Sequence, residues 1–440
     1  MKLFKSILVA VLLVVFLVGC SISTNFQESI EKEVEAEEIN TLEELTIEEK
    51  LEDFEYLFKV ITENYPYLEV NRRIHGIDWV NNKDLYREWI MDTQSDSEFY
   101  DAMNLILRDL NDNHTDIIDG NFVEFVREVY DYVLMQYPEN WRKMPFENLN
   151  NSLVTERYEL EEFKVGELKN KEEDAEENQG ISNARVQDII KDKVAHITIP
   201  SMIQPYQRKS DEELIKGYLD QIKNYKVLII DVRDNVGGNN SYWSDLLVPM
   251  IANKPYQSET YKFYRGGEIV TKYVEHQAKY EELEESEIYK ISDLDKATLP
   301  MLPPEIHDSF EYYRKNTLII EPNAESIKFK GNVYMLVNGL VYSSADSFAV
   351  FAKQSGFATL LGEKTLGGGI GSDPWIEMLP NSGYVFRFTK EMGTTADGTS
   401  NAEHKTTPHY EVEGEPMWND LLNDASVKKI LELEGLMLDN

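Results

Sequence analysis

The chain has 440 residues, 42% of them apolar, enough for one large core and a smaller appendage. Its 80 acidic side chains outnumber 44 basic ones and give a formal charge of −36. A surface of that sign repels nucleic acid and anionic lipid headgroups at long range, so neither is an expected partner.

Residues 1–20 read as a targeting segment rather than as part of the fold. Lys2 and Lys5 make a basic start, and Ile7 to Val18 is an apolar run too short for a comfortable membrane span. Leu17-Val18-Gly19-Cys20 then resembles a bacterial lipobox, in which the cysteine thiol receives a diacylglyceryl group before cleavage. Cys20 is the only cysteine, so no disulfide can form within one chain. The expectation is a mature protein outside the cytoplasmic membrane, held by acyl chains at Cys20, since two or more give stable anchoring. Residues 21–45 are polar and acidic and read as a solvated tether.

Folded structure is expected from Thr46-Ile47-Glu48-Glu49, a capping-box pattern. Ile47, Leu51, Phe54, Phe58, Ile61 and Tyr65 follow at helical spacing and Pro66 ends the run. A second helix over Trp79 to Met91 and a third opened by Ser95 and Glu98 complete a small helical domain at 46–118. In the intervening segment, 119–190, Val123 to Tyr137 suits a helix and Asn148 to Val165 an irregular stretch or strand. Lys169 to Gly180 reads as an exposed acidic loop.

An α/β core then runs over 191–420. Val194 to Ile199 reads as a strand, Ser210 and Glu213 as a capping box, and Val227 to Ile230 as a central parallel strand. Residues 254–330 form an aromatic, charged insertion that periodicity does not place. Val333 to Val337, the bend at Ser343 and the helix carrying Phe348, Phe351 and Ala352 read as strand, turn, helix. Tyr384 to Thr389 suits a strand, and 421–440 holds a C-terminal helix over Val427 to Leu433.

Three stretches place polar residues against apolar flanks. Ser343 stands at a helix N-terminus, where unpaired N–H groups suit a developing oxyanion, and Asp346 in the first turn matches that polarity. A Ser/Asp helix cap is the plainer reading of this stretch alone. Asn111-Asp112-Asn113-His114-Thr115 follows the third helix, and Asn235-Val236-Gly237-Gly238 follows the buried strand. A serine needs a base, an imidazole suits neutral pH, and a glycine pair can offer backbone N–H donors. These are the parts for acyl transfer. His404 and His409 lack a third spaced ligand for a metal. TLGGGIG lacks the Gly-Lys-Ser/Thr ending of a phosphate loop.

The pieces LNDNHT, IIDVRDNVGG, YSSAD, LLGEKTLGG and PHYEV occur along the chain in the order found in the tail-specific, or C-terminal processing, serine peptidases. The chain resembles that family, which also contains tricorn core protease and the interphotoreceptor retinoid-binding protein. The resemblance implies a crotonase/ClpP-like core, a peptide or unfolded-protein substrate and no cofactor or metal. It makes Ser343 the nucleophile and the N–H groups of Ser344 and Gly238 or Gly237 the oxyanion hole. The processing branch carries a base lysine where this chain has Gly368, and Lys364 is read as a surface lysine. No PDZ-like segment stands between His114 and the core. The tricorn-like branch instead implies His114 as base, preceded here by Asn113, and Glu403 as the carboxylate orienting it, with Glu391 or Glu411 as alternatives. The implied function is a serine peptidase with a Ser–His–Glu mechanism. The alternatives are a non-catalytic ligand- or peptide-binding lipoprotein on the same scaffold, or cell-envelope scaffolding through the acidic loop.

Overall fold

Thr46 opens the first helix, α1 (Ile47–Asn64), with the reciprocal Thr46–Glu49 cap that its sequence predicts. The structure is a computed structural model and describes residues 42–164, 166, 182–280, 288–295 and 297–436. Two units are separable, residues 1–44 and 45–440, and only 42–44 of the first are described. The targeting segment, Cys20, most of the tether and the acidic loop at 169–180 lie outside the described residues.

After α1 comes a short helix that periodicity does not predict, α2 (Leu68–His75), closed by Gly76 at φ 72°. The second expected helix starts only at Lys83 (α3, Lys83–Met91). Trp79 sits in the preceding turn, its ring stacked 4.7 Å from Phe58 and its indole N–H donated to Ile106 O at 2.8 Å. Ser95 caps α4 (Asp96–Arg108) as expected. A two-residue strand, β1 (Asp116–Ile117), leads to α5 (Gly120–Gln136), α6 (Lys143–Leu149) and α7 (Ser152–Arg157). The expectation of irregular structure or strand at Asn148–Val165 is therefore corrected in part: Asn151 accepts from Leu153 N and starts a helix.

The core sheet begins with β2 (Arg185–Ile190), antiparallel to β3 (Val194–Thr198). Strands β4 (Val227–Asp231), β8 (Asn332–Val337), β9 (Thr359–Gly362) and β13 (Tyr410–Glu411) extend it in parallel, in the order β13-β9-β8-β4-β3-β2. Between β3 and β4 lies α8 (Lys209–Gln221), which is not capped by Ser210. Arg208 is its N-cap and pairs with Glu212 at 2.7 Å, while Asp211 accepts from Ser182, Ala184 and Tyr242. The insertion is ordered as β5 (Tyr256–Tyr264), α9 (Glu268–Tyr280), β6 (Ile288–Lys290) and β7 (Tyr312–Ile320). With β12 (Met392–Thr395) it makes an antiparallel sheet in the order β12-β5-β7-β6. Phe263, Tyr264 and Val270 share one apolar cluster with Phe54, Ile61 and Tyr65 of the helical region. The insertion is thus a platform under the helices rather than an excursion.

Beyond β8, α10 (Ser344–Ser355) packs Phe348 and Phe351 against Trp243. Strands β10 (Trp375–Met378) and β11 (Val385–Phe388) pair with β1 in a third sheet. The short α11 (Asn401–His404) and the terminal α12 (Ala425–Leu433) complete the chain.

The loop after β4 is held by buried charge. Arg233 donates to Asp231 at 2.7 and 3.0 Å and to Asp424 at 2.7 Å, and His196 Nε2 lies 3.2 Å from Asp231. Burial opposes the Asp231 charge, yet His196 and Arg233 hold its pKa below the usual value. Removing one member of such a pair strands the other charge. Arg233→Ala is expected to lower the unfolding free energy by about 3–5 kcal/mol in a urea titration. A loss within experimental error would show that the loop is held by something else.

Candidate active site

Ser343 has φ 53° and ψ −124°, a conformation costly for any residue with a Cβ. The bend is imposed from both sides: Ser343 N donates to Gly367 O at 3.1 Å and Tyr342 N to Asn235 O at 3.2 Å. Ser343 occupies the N-cap position of α10, but its side chain does not cap. Its half-buried hydroxyl makes no hydrogen bond among the described residues. Asp346 does not serve the helix terminus alone. It is fully buried and accepts from Thr365 Oγ1 (2.6 Å), Asn401 Nδ2 (2.9 Å) and Gly369 N (3.1 Å), tying the TLGGG loop to α10.

The glycine pair lies against this bend. A methyl group on Gly237 would stand 2.8 Å from Ser343 Cβ, and one on Gly238 2.1 Å from Met202 O. Gly237 N already donates to Asn235 Oδ1 at 2.8 Å. The N–H groups of Gly238 and Ser344 have no partner among the described residues. Of the two glycines, Gly238 is the one with a donor to offer.

His114 is brought to the core by β1. Asp116 pairs with Arg387 of β11, whose guanidinium bonds Asp116 at 2.5 Å and Asn113 O at 3.2 Å. Asp112 accepts from His114 N (3.1 Å), Thr115 Oγ1 (2.7 Å) and Thr389 Oγ1 (2.7 Å). The His114 ring lies 4.7 Å from the Tyr342 ring, and its Nδ1 is 3.1 Å from the Tyr342 hydroxyl, which Asp112 also faces. Burial pushes the His114 pKa below its usual value, aided by Arg387 and opposed chiefly by Asp112. His114 therefore stands one residue from Ser343 through Tyr342, although no hydrogen bond joins His114 to the serine.

Glu403 is not part of that contact. Both its oxygens are taken by Arg73, at 2.9 and 2.7 Å, and Arg73 also bonds Glu305. The hydrogen bond to the His114 ring comes from Tyr342, while Glu403, to which the resemblance assigns the orienting role, is bonded to Arg73. Glu391 is buried with Lys262 (3.3 Å), Lys390 (3.6 Å) and Ser372 (2.6 Å), and Glu411 lies exposed in β13. The contact between His114 and Tyr342 has no sequence signature, because the two are far apart in the chain.

Nor does a lysine replace the family's base by position. Gly368 packs so closely on the Tyr342 ring that a methyl group would meet Cε2 at 2.6 Å, and Lys364 is exposed. Buried Lys390 donates to Ser372 Oγ at 2.8 Å and lies 4.5 Å from the Trp141 ring. His404 and His409 join no metal-ligating group among the described residues. A cavity of about 190 Å³ opens beside His114 and Tyr342, with Tyr65, Glu403 and Lys405 in its lining.

The family model of peptidase family S41 matches residues 193–412, from β3 to the strand after Pro408. The chain belongs to peptidase family S41. It is a hydrolase of a serine peptidase family, with peptides or proteins as substrates. No curated protein matches it in sequence. Among solved structures, a putative peptidase from Parabacteroides merdae is similar at 18% identity, over 89% of this chain and 97% of that one, with a TM-score of 0.53. Mature CPAF in complex with lactacystin is similar at 13% identity, over 89% and 98%, with a TM-score of 0.53. The S41 core with an N-terminal helical region is therefore the fold of this chain.

The His114 environment gives a direct check. An NMR titration of its ring is expected to show a midpoint below the ordinary 6.5, and Arg387→Gln is expected to raise it. A midpoint at or above 6.5 in the parent protein contradicts this description of the site.

Proposed function

We propose that this S41 protein is a lipid-anchored extracytoplasmic peptidase with Ser343 as nucleophile and His114 as base. The observation that carries the proposal is a strained serine at a helix N-terminus, flanked by two N–H groups that have no partner among the described residues and preceded by the tyrosine that hydrogen-bonds His114. In the productive tautomer His114 Nδ1–H donates to the Tyr342 hydroxyl, which in turn donates toward Asp112. That leaves the Nε2 lone pair for the serine proton. Hydrogen bonds of this kind are often long in an unliganded site and tighten with substrate.

Ser343 Oγ attacks the peptide carbonyl while His114 Nε2 takes its proton. The oxyanion receives the N–H groups of Gly238 and Ser344, donors that need no reorganisation as charge develops. Collapse breaks the C–N bond, and His114 passes its proton to the leaving amine. Water then hydrolyses the acyl-serine by the same route in reverse. A depressed imidazole pKa keeps the base neutral at physiological pH.

Anchoring rests on the lipobox-like Leu17-Val18-Gly19-Cys20 and on the absence of any other cysteine. Mass spectrometry of the mature protein is expected to find a diacylglyceryl-modified Cys20 at its N-terminus, and an unmodified, uncleaved N-terminus contradicts the anchor. For the chemistry, Ser343→Ala is expected to reduce turnover of a cleavable peptide by about 10⁶, as loss of a triad serine does elsewhere. Parent-level cleavage by purified Ser343→Ala overturns the nucleophile assignment.

A further inference from the structure

Tyr65, which ends α1, and Lys405, which follows α11, come from distant parts of the chain and line the same cavity beside His114. Tyr65 is fully buried, and its hydroxyl, which Asp112 faces, makes no hydrogen bond among the described residues. An unpaired buried hydroxyl is costly, so its place in a cavity wall points to a group that arrives from outside.

Lys405 is unusual in a second way. Its backbone stands at φ 61° and ψ −177°, a region that essentially only glycine occupies without strain. Strain of this kind persists where the surrounding structure enforces it and clusters at ligand sites. The conformation sends the side chain along Gly367, where a methyl group would meet Lys405 Cδ at 2.8 Å and Nζ at 3.6 Å. No ion pair or hydrogen bond engages its ammonium among the described residues. The other charges facing the cavity are already committed. Glu403 is held by Arg73, and the Asp112 oxygens accept from Thr115, Thr389 and the His114 N–H. Burial pushes the Lys405 pKa down; Asp346 and Asp112 oppose this, but neither is close enough to pair with the ammonium.

We propose that this cavity binds a carboxylate of the peptide substrate, with Lys405 Nζ as its counter-charge and the Tyr65 hydroxyl as a donor. The assignment rests on the peptidase reading above, because the cavity adjoins Tyr342 and His114. The carboxylate is either an acidic side chain near the cleaved bond or the free C-terminus of a short peptide. Both present the same two oxygens.

Three fluorogenic peptides of otherwise identical sequence separate these sources: one with Glu and an amidated end, one with Gln and a free end, and one with Gln and an amidated end. The parent enzyme is expected to show a lower KM for one of the two carboxylate peptides than for the neutral one, which names the source. Lys405→Met is expected to raise that KM by about 10–100-fold, as loss of a charge-assisted hydrogen bond does, with kcat little changed and the neutral peptide unaffected. Lys405→Arg is expected to retain the preference. Lys405→Gly relieves the strained backbone, so it is expected to fold at least as stably and to lose the same preference. Equal handling of all three peptides by the parent, or an equal loss on charged and neutral peptides in Lys405→Met, overturns the proposal. Anisotropy binding of labelled peptides to Ser343→Ala keeps the two readings apart. Lys405-dependent carboxylate binding without any parent cleavage supports the cavity and contradicts the peptidase. Cleavage without carboxylate preference does the reverse.

Discussion

The backbone bend at Ser343 is the constraint on which the rest of the site depends. A non-glycine residue at φ 53° and ψ −124° carries strain on the order of 1–3 kcal/mol, and local preference alone would relax it. It is held because its own N–H donates to Gly367 O and that of the preceding Tyr342 donates to Asn235 O. Each of those partners is itself anchored. Asn235 bridges Ile199 O and Gly237 N, and the Gly367 loop is tied through Gly369 to Asp346. Buried Asp231, Arg233 and Asp424 fix the loop that carries Asn235. The strain is thus supported by elements drawn from β3, β4, α10 and α12. The hydroxyl is left out of the helix cap and available for chemistry.

The second component arrives from the helical region. A two-residue strand is weak by itself, and β1 is held by its ion pair with Arg387 and by Thr389, which bonds both Thr115 and Asp112. Gly368 contributes by absence: the room left by its missing side chain is filled by the Tyr342 ring, which meets His114. Gly368 stands where the resemblance places the processing branch's lysine, and a side chain there would collide with the Tyr342 ring.

Much of the scaffold was legible in the chain because local and global preferences agree. Val227 to Ile230 and Val333 to Val337 are unbroken apolar runs at the centre of the sheet, buried on each face except at half-buried Val333. Thr46 to Glu49 announces α1 by its cap. What escaped was set by tertiary context. Strand β2 has the mixed sequence RVQDII of an exposed edge, and α2 spans only eight residues and takes its end from Gly76. Ser343, His114 and the glycine pair were found by motif, and the structure brings their elements together. The pairing of His114 with Tyr342, the diversion of Glu403 to Arg73 and the strained Lys405 were not, since each depends on side chains or dihedral angles that no spacing encodes.

The central claim is that a serine peptidase lacking its family's lysine uses His114 as base. Covalent labelling by a serine-directed fluorophosphonate tests it without knowledge of the substrate. Labelling of the parent protein that is abolished in Ser343→Ala, lost or strongly slowed in His114→Ala and preserved in Lys405→Met is the result the account predicts. Unreactive parent protein, or labelling that survives in His114→Ala and disappears in Lys405→Met, contradicts it.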